Sequence, residues 1–159
     1  RIAFILSILY QVQSQCSTRK EWRQLSTSQQ DSYLSAVIAL KAKAKGPDSD
    51  FLQWNHDQFA QVHAQYYSNN HEKAPFFPWH RKFINSYELA LQRIDSSVSL
   101  PYWDWGMDSN HPGAADLFTE RAFGGAGDPS NGYCALSGVA AGWNTHLGSC
   151  LKRCSAWGK

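Results

Sequence analysis

The sequence predicts a mainly α-helical domain followed by a long irregular segment. Apolar residues recur at helical spacing in three stretches between residues 26 and 96. Turn-forming Gly, Pro, Ser and Asn residues separate these stretches. From residue 106 onward the chain is rich in Gly, Ser and Asn and shows no periodicity. With 159 residues and 43% hydrophobic content, the chain is long enough for one domain with a buried core.

The first helix is predicted to begin in the run Ser26-Thr27-Ser28, where Thr27 and Gln30 are spaced as a capping box. Gly46-Pro47 is expected to end it, because these two residues disfavour a further helical turn. Its predicted apolar face comprises Tyr33, Leu34, Val37 and Leu40.

The second helix is predicted over roughly residues 51–67, after a capping run at 48–50, and the polar run 68–70 is expected to break it. Its apolar face comprises Leu52, Phe59, Val62 and Tyr66. The third helix is expected to open at Pro78, since proline is favoured in a first turn. Its apolar stripe comprises His80, Phe83, Ile84, Tyr87 and Leu91. Residues 100–105 then form an aromatic turn.

Three histidines are the strongest functional signal in the chain. His63 falls near the end of the second helix, His71 in the connection and His80 in the first turn of the third helix. Two antiparallel helices joined by a short loop can aim all three imidazoles at one point, which predicts a metal site. Imidazole suits copper, zinc, iron and nickel, and the spacing alone does not choose among them. The aromatic residues expected to wall this site from water are Phe76, Phe77 and Trp79.

The other three histidines are weaker candidates. His56 lies two helical turns before His63 and is a rival for the first ligand position. We expect it to lie beside the site or at the surface. His111 and His146 are isolated in loop-like sequence, so both are expected to face solvent.

The N-terminal segment and the cysteines favour secretion. Residues 1–14 resemble the tail of a signal peptide, with a positive start, a short apolar core and small residues three apart; a buried N-terminal strand or helix is the alternative. Four cysteines fit an oxidising compartment and allow three connectivities for two disulfides. Cys150 and Cys154 could instead form a zinc pair, although no second pair lies nearby. Cys16 is isolated, so its partner must be distant or missing.

Charge and hydropathy exclude some classes of partner. The net charge of +2 and the absence of a basic stripe give no support for nucleic-acid binding. No apolar run approaches the ~20 residues that span a bilayer, so no membrane span is expected.

A series of motifs in order resembles the tyrosinase family of type-3 copper proteins, especially short secreted tyrosinases of the fungal type. The resemblance covers about residues 16–154 and is most specific over 59–105. The first copper-binding region of that family is matched by the motif Phe59-Ala-Gln-Val62-His63, then His71, then Phe77-Pro-Trp79-His80-Arg81. Further matches occur at residues 19–26, 33–40, 87–91, 101–105, 123–128, 132–134 and 150–153.

The resemblance implies that His63, His71 and His80 bind the first copper. It also implies part of a four-helix bundle, with two copper-site helices present and two missing. The family's second copper is held by three further histidines, in a pattern like His-x-x-x-His followed by a His-His pair, and nothing in this sequence matches that pattern. The resemblance further suggests that Glu88 is a buried polar anchor, and we expect that Arg81 pairs with Asp104.

The family activity is the oxidation of monophenols and o-diphenols to o-quinones with dioxygen, and it needs two coppers. We therefore expect residues 1–14 to be a signal-peptide remnant and 15–159 a partial copper-binding domain, inactive alone, with an exposed apolar patch and marginal stability. A non-catalytic protein that binds one copper is the alternative. A dioxygen carrier of the hemocyanin type is a third hypothesis, against which the secreted short-chain pattern argues.

Overall fold

The computed structural model describes residues 18–153 and confirms the mainly helical fold. Four α-helices are present in this range, with no β-strand beyond isolated bridges. The helices are α1 (Thr27–Ala42), α2 (His56–Gln65), α3 (Tyr67–Asn70) and α4 (Phe76–Gln92). The predicted signal-peptide remnant, Cys16 and Cys154 lie outside the described residues.

Helix α1 begins one residue earlier than its predicted capping box. The Ser26 hydroxyl accepts a hydrogen bond from the Gln29 N–H at 3.2 Å, and the Gln29 side chain accepts one from the Ser26 N–H at 3.0 Å. The helix ends at Ala42, before Gly46-Pro47. The Asn55 amide donates to the Lys43 carbonyl at 3.1 Å, an acceptor for which Pro47, four residues on, has no N–H to offer.

The predicted second helix is divided into separate elements. Asp50 caps a 3₁₀ turn (Phe51–Gln53), and α2 begins only at His56. Asn55 caps α2 through a reciprocal pair of hydrogen bonds with Gln58, at 3.0 and 3.1 Å. The run 68–70, expected to break the helix, instead lies within the one-turn helix α3.

Helix α4 begins at Phe76, two residues before the predicted opening at Pro78. Pro78 occupies the third helical position, where a missing N–H breaks no helical hydrogen bond because the first turn has no internal acceptors. The predicted stripe therefore begins two residues further into the helix, and His80, as the fifth helical residue, lies in the second turn.

The main core forms where α1, α2 and α4 pack together. Its buried members are Ala36, Val37, Leu40, Phe59, Ala90, Leu91 and Val98. On α4 the predicted stripe is best covered at its C-terminal end, where Leu91 is fully buried, whereas Ile84 is 38% exposed. Leu52 and Val62 on the predicted face of the second helix are only partly buried, and Tyr66 is exposed. A second core cluster places Trp22, Leu34 and Ala122 between the N-terminal segment, α1 and the C-terminal segment.

Glu88 anchors the N-terminal segment to α4, as predicted. Its side chain is 3% exposed, and its carboxylate accepts from the Arg19 guanidinium at 2.6 Å and from the Leu100 N–H at 2.8 Å. Backbone hydrogen bonds of 2.9 Å join Tyr102 to Lys20 and Trp22 on either side. These contacts attach the segment before α1 to the aromatic turn after α4.

The predicted pairing of Arg81 with Asp104 is wrong. Arg81 is exposed and Asp104 accepts from the Gly106 N–H at 3.1 Å; no ion pair joins the two among residues 18–153. Arg23 supplies the ionic contact of this turn instead, since its guanidinium pairs with Asp108.

The C-terminal segment is irregular apart from short 3₁₀ turns, and it is closed by a disulfide between Cys134 and Cys150. The alternative of a zinc pair at Cys150 and Cys154 is therefore wrong, because the Cys150 sulfur is already bonded. Lys41 on α1 donates to the Asn144 carbonyl at 2.7 Å, which attaches this segment to the helices. Within the described range, no helix combines the length and apolar character needed to cross a bilayer.

Candidate metal centre

The three histidines of the predicted site converge in the structure. His63 projects from α2, His71 follows directly after α3, and His80 projects from α4. The Nε2 atoms of His63 and His80 are 3.4 Å apart. Each of the three rings offers one nitrogen that lies within 4.8 Å of the other two, and all three side chains are partly buried. The one-turn helix α3 makes this possible, because it returns the chain from the end of α2 to the start of α4.

Backbone carbonyls orient two of the three imidazoles. His71 Nδ1 lies 3.1 Å from the Tyr67 carbonyl oxygen, and His80 Nδ1 lies 2.7 Å from the Phe76 carbonyl oxygen. Because a carbonyl oxygen only accepts, each Nδ1 carries the proton in these contacts. The Nε2 lone pairs are then free to bind a metal, an arrangement that metal-binding histidines commonly show.

Aromatic rings surround the histidines. Tyr67 stacks on His71 with 4.1 Å between centroids, and the Phe76 ring lies 4.4 Å from His80. Trp79 lies 4.8 Å from the same ring. The predicted wall is therefore correct for Phe76 and Trp79 and wrong for Phe77, which is 80% exposed. Phe77 follows Phe76 by one position, so the helix turns its side chain away.

The electrostatics of the cluster favour a neutral imidazole at His63. Partial burial lowers the pKa of His63, and repulsion from His71 and His80 lowers it further. A neutral imidazole is the form that binds a metal, so less proton release is needed on binding.

His56 does not belong to this cluster. Its Nδ1 lies 3.0 Å from the Tyr87 hydroxyl, and its ring packs edge-on against Trp143. Burial raises the pKa of Tyr87, so its phenol stays protonated and shares a hydrogen bond with His56 Nδ1. Burial lowers the pKa of His56, Lys41 lowers it further, and Asp57 opposes the shift. His56 therefore links α2, α4 and the C-terminal segment. His111 and His146 are exposed, as predicted.

Two residues near the cluster escaped the sequence analysis. Tyr67 precedes His71 by four residues, as Phe76 precedes His80. This helical spacing was a signal that could have revealed Tyr67. Asn70 is 6% exposed, and its side-chain nitrogen has no hydrogen-bond partner in the described part of the chain. No sequence signal identified it.

The donor set fits a copper ion. Three imidazole nitrogens on a partly buried, aromatic-lined surface are ligands of the borderline type that copper and zinc accept. None of the three lines the cavity of about 320 Å³ between the N-terminal segment and α1.

Comparison with known proteins finds relatives of the part of the chain that contains the three histidines. The family model described as the common central domain of tyrosinase matches residues 53–158, a range that contains all three histidines. The chain is 40% identical over 138 residues to the tyrosinase-like protein phomQ1 of Diaporthe leptostromiformis, covering 80% of this chain and 35% of that protein.

More distant relatives agree. Identity is 31% to a tyrosinase of Streptomyces galbus, covering 73% of this chain and 42% of that protein. It is 30% to the tyrosinase ustQ of Aspergillus flavus, covering 86% of this chain and 42% of that protein. The chain thus spans roughly two fifths or less of the length of each of these curated relatives.

Proposed function

This chain belongs to the tyrosinase family, and we propose that it supplies the ligands of the first copper in a binuclear copper oxidase. The observation that carries the proposal is the convergence of His63, His71 and His80, whose donor nitrogens lie within 4.8 Å of one another. Family membership favours copper over the other metals that three imidazoles accept.

Each ligand has a defined role in this proposal. His63, His71 and His80 hold the ion through one ring nitrogen each, and for His71 and His80 that nitrogen is Nε2, because the carbonyls of Tyr67 and Phe76 keep the proton on Nδ1. A bound copper ion supplies the redox chemistry that couples phenol oxidation to dioxygen. The surrounding rings limit water access and so influence the potential of the site.

The substrates proposed for the whole protein are phenols and o-diphenols, which it oxidises to o-quinones with dioxygen. That reaction requires a second copper, and this sequence holds only three further histidines. His56 is hydrogen-bonded to Tyr87, and His111 and His146 are exposed in irregular segments. We therefore propose that this chain alone binds one copper and does not oxidise diphenols.

The alternative function is a non-catalytic protein that binds a single copper. The observation in its favour is that one histidine cluster is present among residues 18–153. Co-expression of the chain with the C-terminal half of a relative distinguishes the oxidase component from the non-catalytic copper-binding protein. Recovery of diphenol oxidation supports the oxidase component, and a stable mononuclear complex without activity supports the alternative.

We place residues 15–159 in one partial copper-binding domain, outside the cell, with residues 1–14 as the remnant of a signal peptide. The Cys134–Cys150 disulfide supports an oxidising compartment. N-terminal sequencing of protein from the culture medium tests this: a mature chain that begins near residue 15 supports it, and a retained apolar N-terminus contradicts it.

Copper titration of the full chain tests the central proposal. Elemental analysis after desalting should give one copper per chain, and H80A should lose most of it. H146A is the matched control, because His146 is exposed and distant in sequence from the ligands. Two coppers per chain with oxygen uptake on an o-diphenol would overturn the half-site proposal. Copper retention by H80A would exclude His80 as a ligand.

A further inference from the structure

Among the three ligand candidates, His71 has the least support from the backbone. His63 and His80 lie within α2 and α4, whereas His71 follows the last residue of the four-residue helix α3. The next residue, Glu72, turns the chain with φ of +56°. His71 therefore lies in a connection, where regular helical packing does not fix the direction of its side chain.

Tyr67 contacts His71 in two ways. Its carbonyl oxygen lies 3.1 Å from His71 Nδ1, and its ring stacks on the imidazole at 4.1 Å with 21° between the planes. The other ring contacts of His71 within residues 18–153 are edge-on, and they are made by His63, Phe76 and His80. Tyr67 is thus the ring that covers a face of His71.

The two contacts do different work. The carbonyl selects which nitrogen carries the proton, but a hydrogen bond in an exposed turn is easily exchanged for one to water. The stacked ring restricts tilting of the imidazole plane, and within that plane the carbonyl selects the orientation that places Nδ1 beside it and Nε2 on the opposite side. A ligand fixed before the metal arrives loses less conformational entropy on binding.

We propose that Tyr67 is a positioning residue of the copper site, whose ring holds the His71 imidazole with Nε2 directed at the metal. The inference rests on the proposed function for its copper-binding consequence. The Tyr67 ring orients His71 in the metal-free chain as well.

The structure also indicates that Tyr67 matters little for folding. Its side chain is 59% exposed, and His71 is the one ring it contacts in the described part of the chain. Removal of an exposed ring usually has little effect on stability. An effect of Tyr67 on the site can therefore be separated from an effect on the fold.

The neighbouring tyrosine provides a matched control. Tyr66 is 42% exposed, and its ring lies 6.2 Å from Trp79. We compare Y67A, Y67F and Y66A in the full chain, because Y67F keeps the stacked ring and loses only the hydroxyl. Y67A should raise the copper dissociation constant roughly 10-fold, the lower end of the effect expected from groups that orient metal ligands. Y67F and Y66A should bind copper as the wild type does.

A metal-free readout completes the test. Nitrogen-15 NMR of the histidine rings, at a pH of about 8.5 where imidazole is neutral, reports which nitrogen carries the proton. His71 should carry it on Nδ1 in the wild type, Y67F and Y66A. In Y67A the ring is released, so the Nε2–H form that free histidine prefers should appear.

The outcomes are distinguishable. Wild-type copper affinity and an unchanged His71 tautomer in Y67A would overturn the proposal. Equal losses in Y67A and Y66A would also overturn it, since they would indicate a general disturbance of the surface. If the wild-type chain binds no copper but the tautomer still depends on Tyr67, the positioning role stands and the proposed copper function fails.

Discussion

At the scale of single residues, the proton positions of the candidate ligands follow from ordinary helical geometry. Residues four apart lie on the same side of a helix, so the carbonyls of Tyr67 and Phe76 lie beside His71 and His80. The carbonyls keep the protons on Nδ1, and the ligand nitrogens need no carboxylate partner to set their tautomer. A site made this way depends on local backbone more than on distant side chains.

His56 shows how surroundings, and not residue type, decide the role of a histidine. Seven residues separate it from His63 on one helix, so the sequence offers both as ligands. The structure separates their roles, because the His56 ring is hydrogen-bonded to Tyr87 and packs against Trp143. Both partners are remote in the sequence, 31 and 87 positions away by residue number, and no local pattern announces them.

The buried position of His56 predicts a pH dependence of stability. Its folded-state pKa lies below its ordinary value of 6.5, so the unfolded chain binds this proton more tightly. The free energy of unfolding should therefore be highest above about pH 6.5 and fall as the pH drops below it. In H56Q, which keeps a polar partner for Tyr87, the fall should be smaller. Urea unfolding of the metal-free chain at about pH 7.5 and 5.5 measures the difference.

H146Q is the control for this experiment, since His146 is exposed and should leave the wild-type pH dependence intact. A fall in H56Q as large as that of the wild type would contradict the assignment of His56 as a titrating, buried group.

At the scale of elements, the cap of α2 stabilises the helix that carries His63. Asn55 caps the helix that carries His63, and its side chain also donates to the Lys43 carbonyl after α1. N55A should destabilise the chain by about 1 kcal/mol, the usual loss for an N-cap, measured as a shift of the urea midpoint without a change in slope.

N55D is the matched variant, because aspartate also accepts the capping hydrogen bond from the Gln58 N–H. It should retain most of the wild-type stability. Equal stability of N55A and the wild type would show that the cap does not hold the start of α2.

Helix identity was predictable from sequence, but helix ends were not. The apolar face of α1 was correct because Leu34, Val37 and Leu40 are all buried, Val37 and Leu40 in the main core and Leu34 in the second cluster. The end of α1 was placed too late, because the helix stops at Ala42, and the Lys43 carbonyl accepts instead from Asn55, twelve residues further on. The break before α2 was missed because Asp50 and Asn55 are both good N-caps. The sequence alone does not show that Asp50 caps a 3₁₀ turn and that Asn55 caps α2.

At the scale of the whole molecule, two irregular segments pack against the helices, and both contribute to the cluster of Trp22, Leu34 and Ala122. Arg19 and Tyr102 secure the N-terminal segment, and the disulfide closes the C-terminal one. The candidate site is formed by α2, α3 and α4 without a contribution from either segment. The metal site and the C-terminal segment should therefore respond separately to mutation.

Removal of the disulfide tests this separation. Cys134 and Cys150 are 16 positions apart, and closing a loop of that size stabilises a fold by about 3 kcal/mol. The variant C134S/C150S should lose stability of this order in urea unfolding and keep its copper affinity. Loss of copper binding in a folded variant would contradict the independence of the two regions.

The uncovered surface near the site agrees in position with the predicted apolar patch. Phe77 is 80% exposed, and Tyr66, Tyr67 and Ile84 are exposed as well. The C-terminal end of the α4 stripe is buried by α1 and α2, so the open part lies toward the histidines. The marginal stability expected of the isolated chain stays a prediction.

The central claim is that His63, His71 and His80 bind one copper ion. X-ray absorption spectroscopy of the copper-loaded full chain tests it most directly, because multiple scattering from imidazole rings counts the histidines on the metal. We predict three imidazoles per copper in the wild type and two in H71A. A first shell made of sulfur or carboxylate oxygen, or an unchanged count in H71A, would contradict the claim.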